Sequence, residues 1–159
     1  MHYDQLSTLY RTLLIFATVG VGILAVGLVE FVYFEPPGQV TGAKARIVGV
    51  FQYDPTTGQT VGPDRSEFPR TQQFAARVDW SSLPPNLTVD ARWYDSFGSI
   101  EGQIGPSTAA NLAGETIVPV DVPQGYRYVL PGRYMFVVER LSQGVPVEVL
   151  SRRFVVADR

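Results

Sequence analysis

The chain has 159 residues, 13 of them basic and 15 acidic, with one His and no Cys. That length holds an anchor and one domain rather than two full domains, and the missing Cys removes disulfides, thiolate chemistry and cysteine metal ligands together. From Pro36 onward 12 basic residues balance 12 acidic ones, so this part carries neither the basic field of a nucleic-acid binder nor a polybasic patch for anionic lipid.

Residues 1–11 read as a short tail. Thr12 to Val29 is an unbroken run of 18 uncharged, mostly apolar residues, and Glu30 is followed by the aromatic cluster Phe31–Phe34. At about 1.5 Å per residue the run covers roughly 27 Å, close to the hydrocarbon thickness of a bilayer. Residues 12–34 are therefore expected to form one transmembrane helix, with Tyr10 and Phe31–Phe34 suited to the two headgroup regions. A cleaved signal peptide fits less well. The apolar run is long, the preceding segment is hardly basic, and the A-x-A triplet Ala43-Lys44-Ala45 lies far beyond the run.

Arg11 before the helix and Glu30 and Glu35 after it favour a cytoplasmic N-terminus, although Lys44 and Arg46 dilute the asymmetry. The expected location is the plasma (inner) membrane, with the rest of the chain on the periplasmic or extracellular side. Thr18, Gly22, Ala25 and Val29 recur on one helical face, where small side chains let a partner helix approach closely. Gly20 and Gly27 lie on the other side. Glu30 is the candidate polar contact at the edge of that docking helix.

Residues 35–43, with Pro36-Pro37-Gly38, form a linker that ends the helix. Over residues 44–159 the period changes to alternation. Strands are expected at 45–53, 73–80, 87–94, 99–104, 116–122, 133–141 and 146–156. Phe74, Ala76, Val78 and Trp80 share one face of the second strand; Leu87, Val89, Ala91 and Trp93 share one face of the third. Pro119 marks an edge or bulge, Ser142-Gln143-Gly144 closes a hairpin, and residues 105–115 hold a short helical turn at most. About seven short strands separated by Pro/Gly-rich turns predict an all-β, antiparallel β-sandwich.

Leu130-Pro131-Gly132-Arg133-Tyr134, leading into an alternating strand, together with Trp93 in mid-strand, resembles the immunoglobulin-like and fibronectin type III domains. The resemblance spans roughly residues 44–157 and lacks the inter-sheet disulfide of antibody domains. It implies an Ig-like sandwich in which Trp93 fills the core and Tyr134 ties the preceding connection to the backbone. No activity is implied.

Chemistry is sparse. His2 is the sole histidine and precedes the apolar run, so zinc, copper or haem ligation and Ser–His–Asp or Cys–His nucleophiles are not expected. Gly98 and Gly102 are followed by no helix that would make a phosphate loop. Asp90, Asp95 and Glu101 are close in sequence, as a glycosidase pair would be, but Asp90 reads as a solvent-facing strand residue and Asp95 as a turn residue. Asp54 and Asp64 lack the clustered oxygens of a calcium site. Asn86-Leu87-Thr88 matches the N-glycosylation pattern, and Arg152-Arg153 reads as a solvated edge.

No cofactor, metal or catalytic residue is therefore expected. The leading expectation is a non-enzymatic, single-pass accessory subunit of a larger membrane complex of the respiratory or photosynthetic kind. Its helix would dock on partner helices and its sandwich would cover the outer face. The alternative is a membrane-tethered envelope module that recognises a polysaccharide or peptide through exposed aromatics such as Tyr94, Phe97, Tyr126 and Tyr128.

Overall fold

Alternation of apolar and polar residues gives each segment one face to bury, and the segments pair as antiparallel ladders accordingly. The computed structural model describes residues 41–112 and 114–158, together with Ala17. The tail (1–11), the segment 12–34 with Thr18, Gly22, Ala25, Val29 and Glu30, and the linker as far as residue 40 lie outside the described residues. Among the described residues no helix is long and apolar enough to cross a membrane.

Val40–Arg159 is one compact unit. Its strands are β1 (Arg46–Asp54), β2 (Gln59–Val61), β3 (Glu67–Pro69), β4 (Phe74–Asp79), β5 (Thr88–Tyr94), β6 (Ile100–Thr108), β7 (Glu115–Pro119), β8 (Gly132–Ser142) and β9 (Val145–Asp158). One sheet has the order β2-β1-β4-β7 and the other β3-β9-β8-β5-β6. Every strand pair is antiparallel except β3 with β9. The architecture is all-β in two sheets, compatible with a β-sandwich.

The seven expected strands correspond to β1 and β4–β9. The two additional ones, β2 and β3, are three residues each, too short for alternation to register. β6 runs on to Thr108 and ends in a 3-10 turn at Ala109–Leu112. Pro119 ends β7, an edge strand of its sheet, where the lost N–H leaves no ladder partner short. The β8–β9 hairpin closes through Gln143 and Gly144, both at positive φ (52° and 82°), the backbone of a two-residue turn matched to strand twist.

The core lies between the sheets. Val50, Phe74, Ala76, Val78 and Val118 come from one sheet and Val89, Ala91, Trp93, Tyr134, Phe136, Val138 and Val155 from the other. Phe74 sits edge-on to both Trp93 and Tyr134, with ring centroids at 5.3 and 5.5 Å. Trp93 is fully buried and its indole N–H donates to the Val118 carbonyl at 2.9 Å, across to the opposite sheet. The Tyr134 hydroxyl donates to the Leu130 carbonyl at 2.7 Å. These two side chains thus join the layers and pin the connection that precedes β8.

A further clamp lies where the chain joins the domain. Glu148 of β9 accepts hydrogen bonds from the Thr41 N–H, the Thr41 hydroxyl and the Gly42 N–H at 3.0–3.2 Å, and from Arg140 Nε at 2.9 Å. Partial desolvation raises the Glu148 pKa, but these donors outweigh it and the net shift is downward. One carboxylate therefore fixes the segment leading into β1, in one sheet, onto the β8–β9 hairpin of the other.

Candidate functional site

β5, β8 and β9 spend one face on the core, so register assigns what the other face presents. Three rows cross it: Tyr94, Met135 and Phe154; then Arg92, Val137 and Arg152; then Asp90, Glu139 and Val149. On this face Phe154 and Val149 are 60% and 57% exposed and Val156 is 39% exposed. Arg152 lies over the Phe154 ring, 5.8 Å from its centroid. The result is an exposed apolar strip along β9 beside a recessed ionic group on β5 and β8.

The ionic group is unusual for a sheet surface. Asp90 is 1% exposed and Glu139 9%, and the two are directly paired across β5 and β8. Arg92 forms an ion pair with Asp90, and the Tyr94 hydroxyl donates to Glu139 Oε2 at 3.3 Å. Asp90 Oδ1 and Arg92 Nε have no hydrogen-bond partner. Burial raises the Asp90 carboxyl, opposed by the Arg92 charge. Burial also raises Glu139, and the neighbouring Asp90 adds to it. Opposite β5, the bulged pair Gly105-Pro106 of β6 packs so closely that a Cβ on Gly105 would lie 2.9 Å from Asp90 Cβ and Val89 O.

Asp90, expected to face solvent, is therefore buried; the bulge of β6 and the Arg92 side chain enclose it. It does not join Asp95 and Glu101. Asp95 begins the β5–β6 turn, its Oδ1 accepting from Phe97 and Ser99 N–H at 2.8 Å, while burial, with the Asp95 and Asp121 charges, raises the Glu101 carboxyl. Asp54 accepts from the Thr56 N–H and the Thr57 hydroxyl. Asp64 accepts from the Val50 N–H and pairs with Arg153. No group of three potential metal ligands occurs among the described residues. The aromatics divide: Tyr94 belongs to the ionic group, Phe97 tips the β5–β6 turn, and Tyr126 and Tyr128 belong to the β7–β8 connection.

Glu139, Val149, Phe154 and Val156 were not legible as a surface from the core-facing alternation alone. A signal was nonetheless present. β8 and β9 carry apolar residues at both parities (Met135, Val137; Phe154, Val156), the composition of strands covered on two sides. No protein-family model matches this sequence, and no curated protein matches it significantly.

Proposed function

We propose that this chain is a non-enzymatic, single-pass accessory subunit of a membrane complex, anchored by residues 12–34 and docked through the outer face of β5, β8 and β9. The observation that carries the reading is the apolar strip Val149–Phe154–Val156 next to the recessed Asp90–Arg92–Glu139–Tyr94 group. Exposed apolar side chains set among polar and charged groups, here with Arg152 between Val149 and Phe154, are characteristic of protein–protein contact. The anchor is supported by the length and apolarity of Thr12–Val29.

An Ig-like scaffold is part of the proposal. It is supported by the buried Trp93 of β5 and by the hydroxyl of Tyr134 on the Leu130 carbonyl. Such a scaffold holds a face rigid without contributing reactive groups. The test is detergent extraction and affinity purification of the full chain. A stoichiometric set of membrane proteins is expected with the wild type and is expected to be lost on Phe154→Asp. Recovery of the chain alone, or the same partners with Phe154→Asp, would defeat the reading.

A further inference from the structure

At the end of the domain opposite the Arg46–Asp79 pairing, the tip of β1, the stretch between β3 and β4, and the β7–β8 connection enclose a cleft of about 320 Å³. A second recess of about 340 Å³ adjoins it, and Arg70, Arg127, Tyr128 and Val129 line both. The volumes fall in the range of small-ligand sites, about 300–1,000 Å³. Two hydrogen bonds fix the base of the cleft: the Tyr53 N–H donates to Gln73 O at 2.7 Å, and the Gln73 side-chain Nε2 to Val120 O at 2.6 Å.

The lining has a specific chemistry. Arg70 and Arg127 take part in none of the ion pairs among the described residues, so two planar donor forks stand ready for an anion. Arg127 lies 5.5 Å from the Tyr128 ring centroid, and Tyr126 is largely exposed beside it. Flat rings accept the C–H faces of a sugar. Asp54, which also lines the cleft, is held ionised by its bonds to Thr56 and Thr57 and is an acceptor for hydroxyl donors. A peptide added as a strand has no edge to pair with, because Gln52, Tyr53 and Asp54 are already paired with β2 on one side and Gln52 with Phe74 on the other.

We propose that this cleft binds an acidic oligosaccharide, its carboxylates on Arg70 and Arg127, its ring faces on Tyr126 and Tyr128, and its hydroxyls on Asp54. The inference is independent of docking through β5, β8 and β9, which present a different surface. The test is calorimetric titration of the full chain in detergent with tetragalacturonate, maltotetraose and tetraglutamate. Tetragalacturonate is expected to bind at least about tenfold more tightly than either of the others, and Arg70→Gln, Arg127→Gln or Tyr126→Ala to weaken it by about tenfold or more. All three side chains are exposed, so these variants are expected to melt as wild type does. Equal binding of maltotetraose removes the role of the guanidinium pair, and equal binding of tetraglutamate removes the saccharide. No binding of tetragalacturonate, or binding indifferent to the three substitutions, overturns the site.

Discussion

Trp93 and Tyr134 each combine burial with one directed hydrogen bond, to Val118 O and Leu130 O. Trp93→Ala removes both a large core volume and an inter-sheet bond and is expected to cost about 3–5 kcal/mol. Tyr134→Phe keeps the ring against Phe74 and loses only the hydroxyl, about 1 kcal/mol. Burial, with the charges of Glu101 and Asp95, pushes the Tyr134 pKa up to about 12, so the donor persists throughout the neutral range. Urea unfolding of the two variants would rank them; equal midpoints would contradict the packing. Glu139 behaves oppositely to a surface acid. Its raised pKa means that its contribution is fully present below the ordinary value of 4.5 and is lost as pH rises through the folded value. Glu139→Gln keeps an acceptor for Tyr94 and is expected to flatten the decline in urea midpoint above about pH 4; an unchanged pH profile would rule out a titrating role.

At the scale of elements, the same alternation that exposed the core left the other face unread. Phe74, Ala76, Val78 and Trp80 announced β4, and Val89, Ala91 and Trp93 announced β5, because each was a clean period of two bounded by turns. The Asp90 position followed that rule and still failed, since outward-facing is not the same as solvated when Arg92 and the β6 bulge lie over it. β2 and β3 were invisible for a different reason: three residues cannot display a period. Gly102 of β6 is a further contact that sequence cannot give. A Cβ there would meet the Pro119 carbonyl oxygen at 2.4 Å, where β6 approaches the chain after β7 and the Asp121 N–H bonds Glu101 O at 2.6 Å. Gly102→Ala is expected to destabilise the domain by about 1–3 kcal/mol through this overlap, read as a lowered melting point; a neutral result would mean that the β6–β7 approach is slack.

For the whole molecule, the expectations divide by region. The succession of the main strands was recoverable because a domain of this size repeats one rule, whereas the proposed cleft draws its side chains from segments far apart in sequence, such as Asp54, Arg70 and Arg127. Anchoring and orientation rest on residues 1–40 and call for experiment. With the N-terminus cytoplasmic, protease added to intact spheroplasts is expected to remove residues 40–159, and protection until lysis would reverse the orientation. Gly22→Leu is expected to release the chain from its partners while the β domain remains folded, because a large side chain blocks close helix approach. Retention as firm as wild type, for Gly22→Leu and for Glu30→Gln alike, would make the helix a passive anchor.

The Glu148 clamp has a mechanical meaning. Any pull on the chain ahead of Thr41 arrives first at the three hydrogen bonds to one carboxylate, and Glu148 passes it to Arg140 and the β8–β9 hairpin. Without them the load would fall on the first residues of β1 and unzip it from β4, one ladder bond at a time. With them it is divided between both sheets. The lowered pKa of Glu148 sets the condition: the fastening holds above the ordinary carboxylate value of 4.5 and loosens as pH falls through the folded value. Were residues 12–34 to anchor the chain as proposed, tension at that join would fall on both sheets at neutral pH and more on β1 alone in acid.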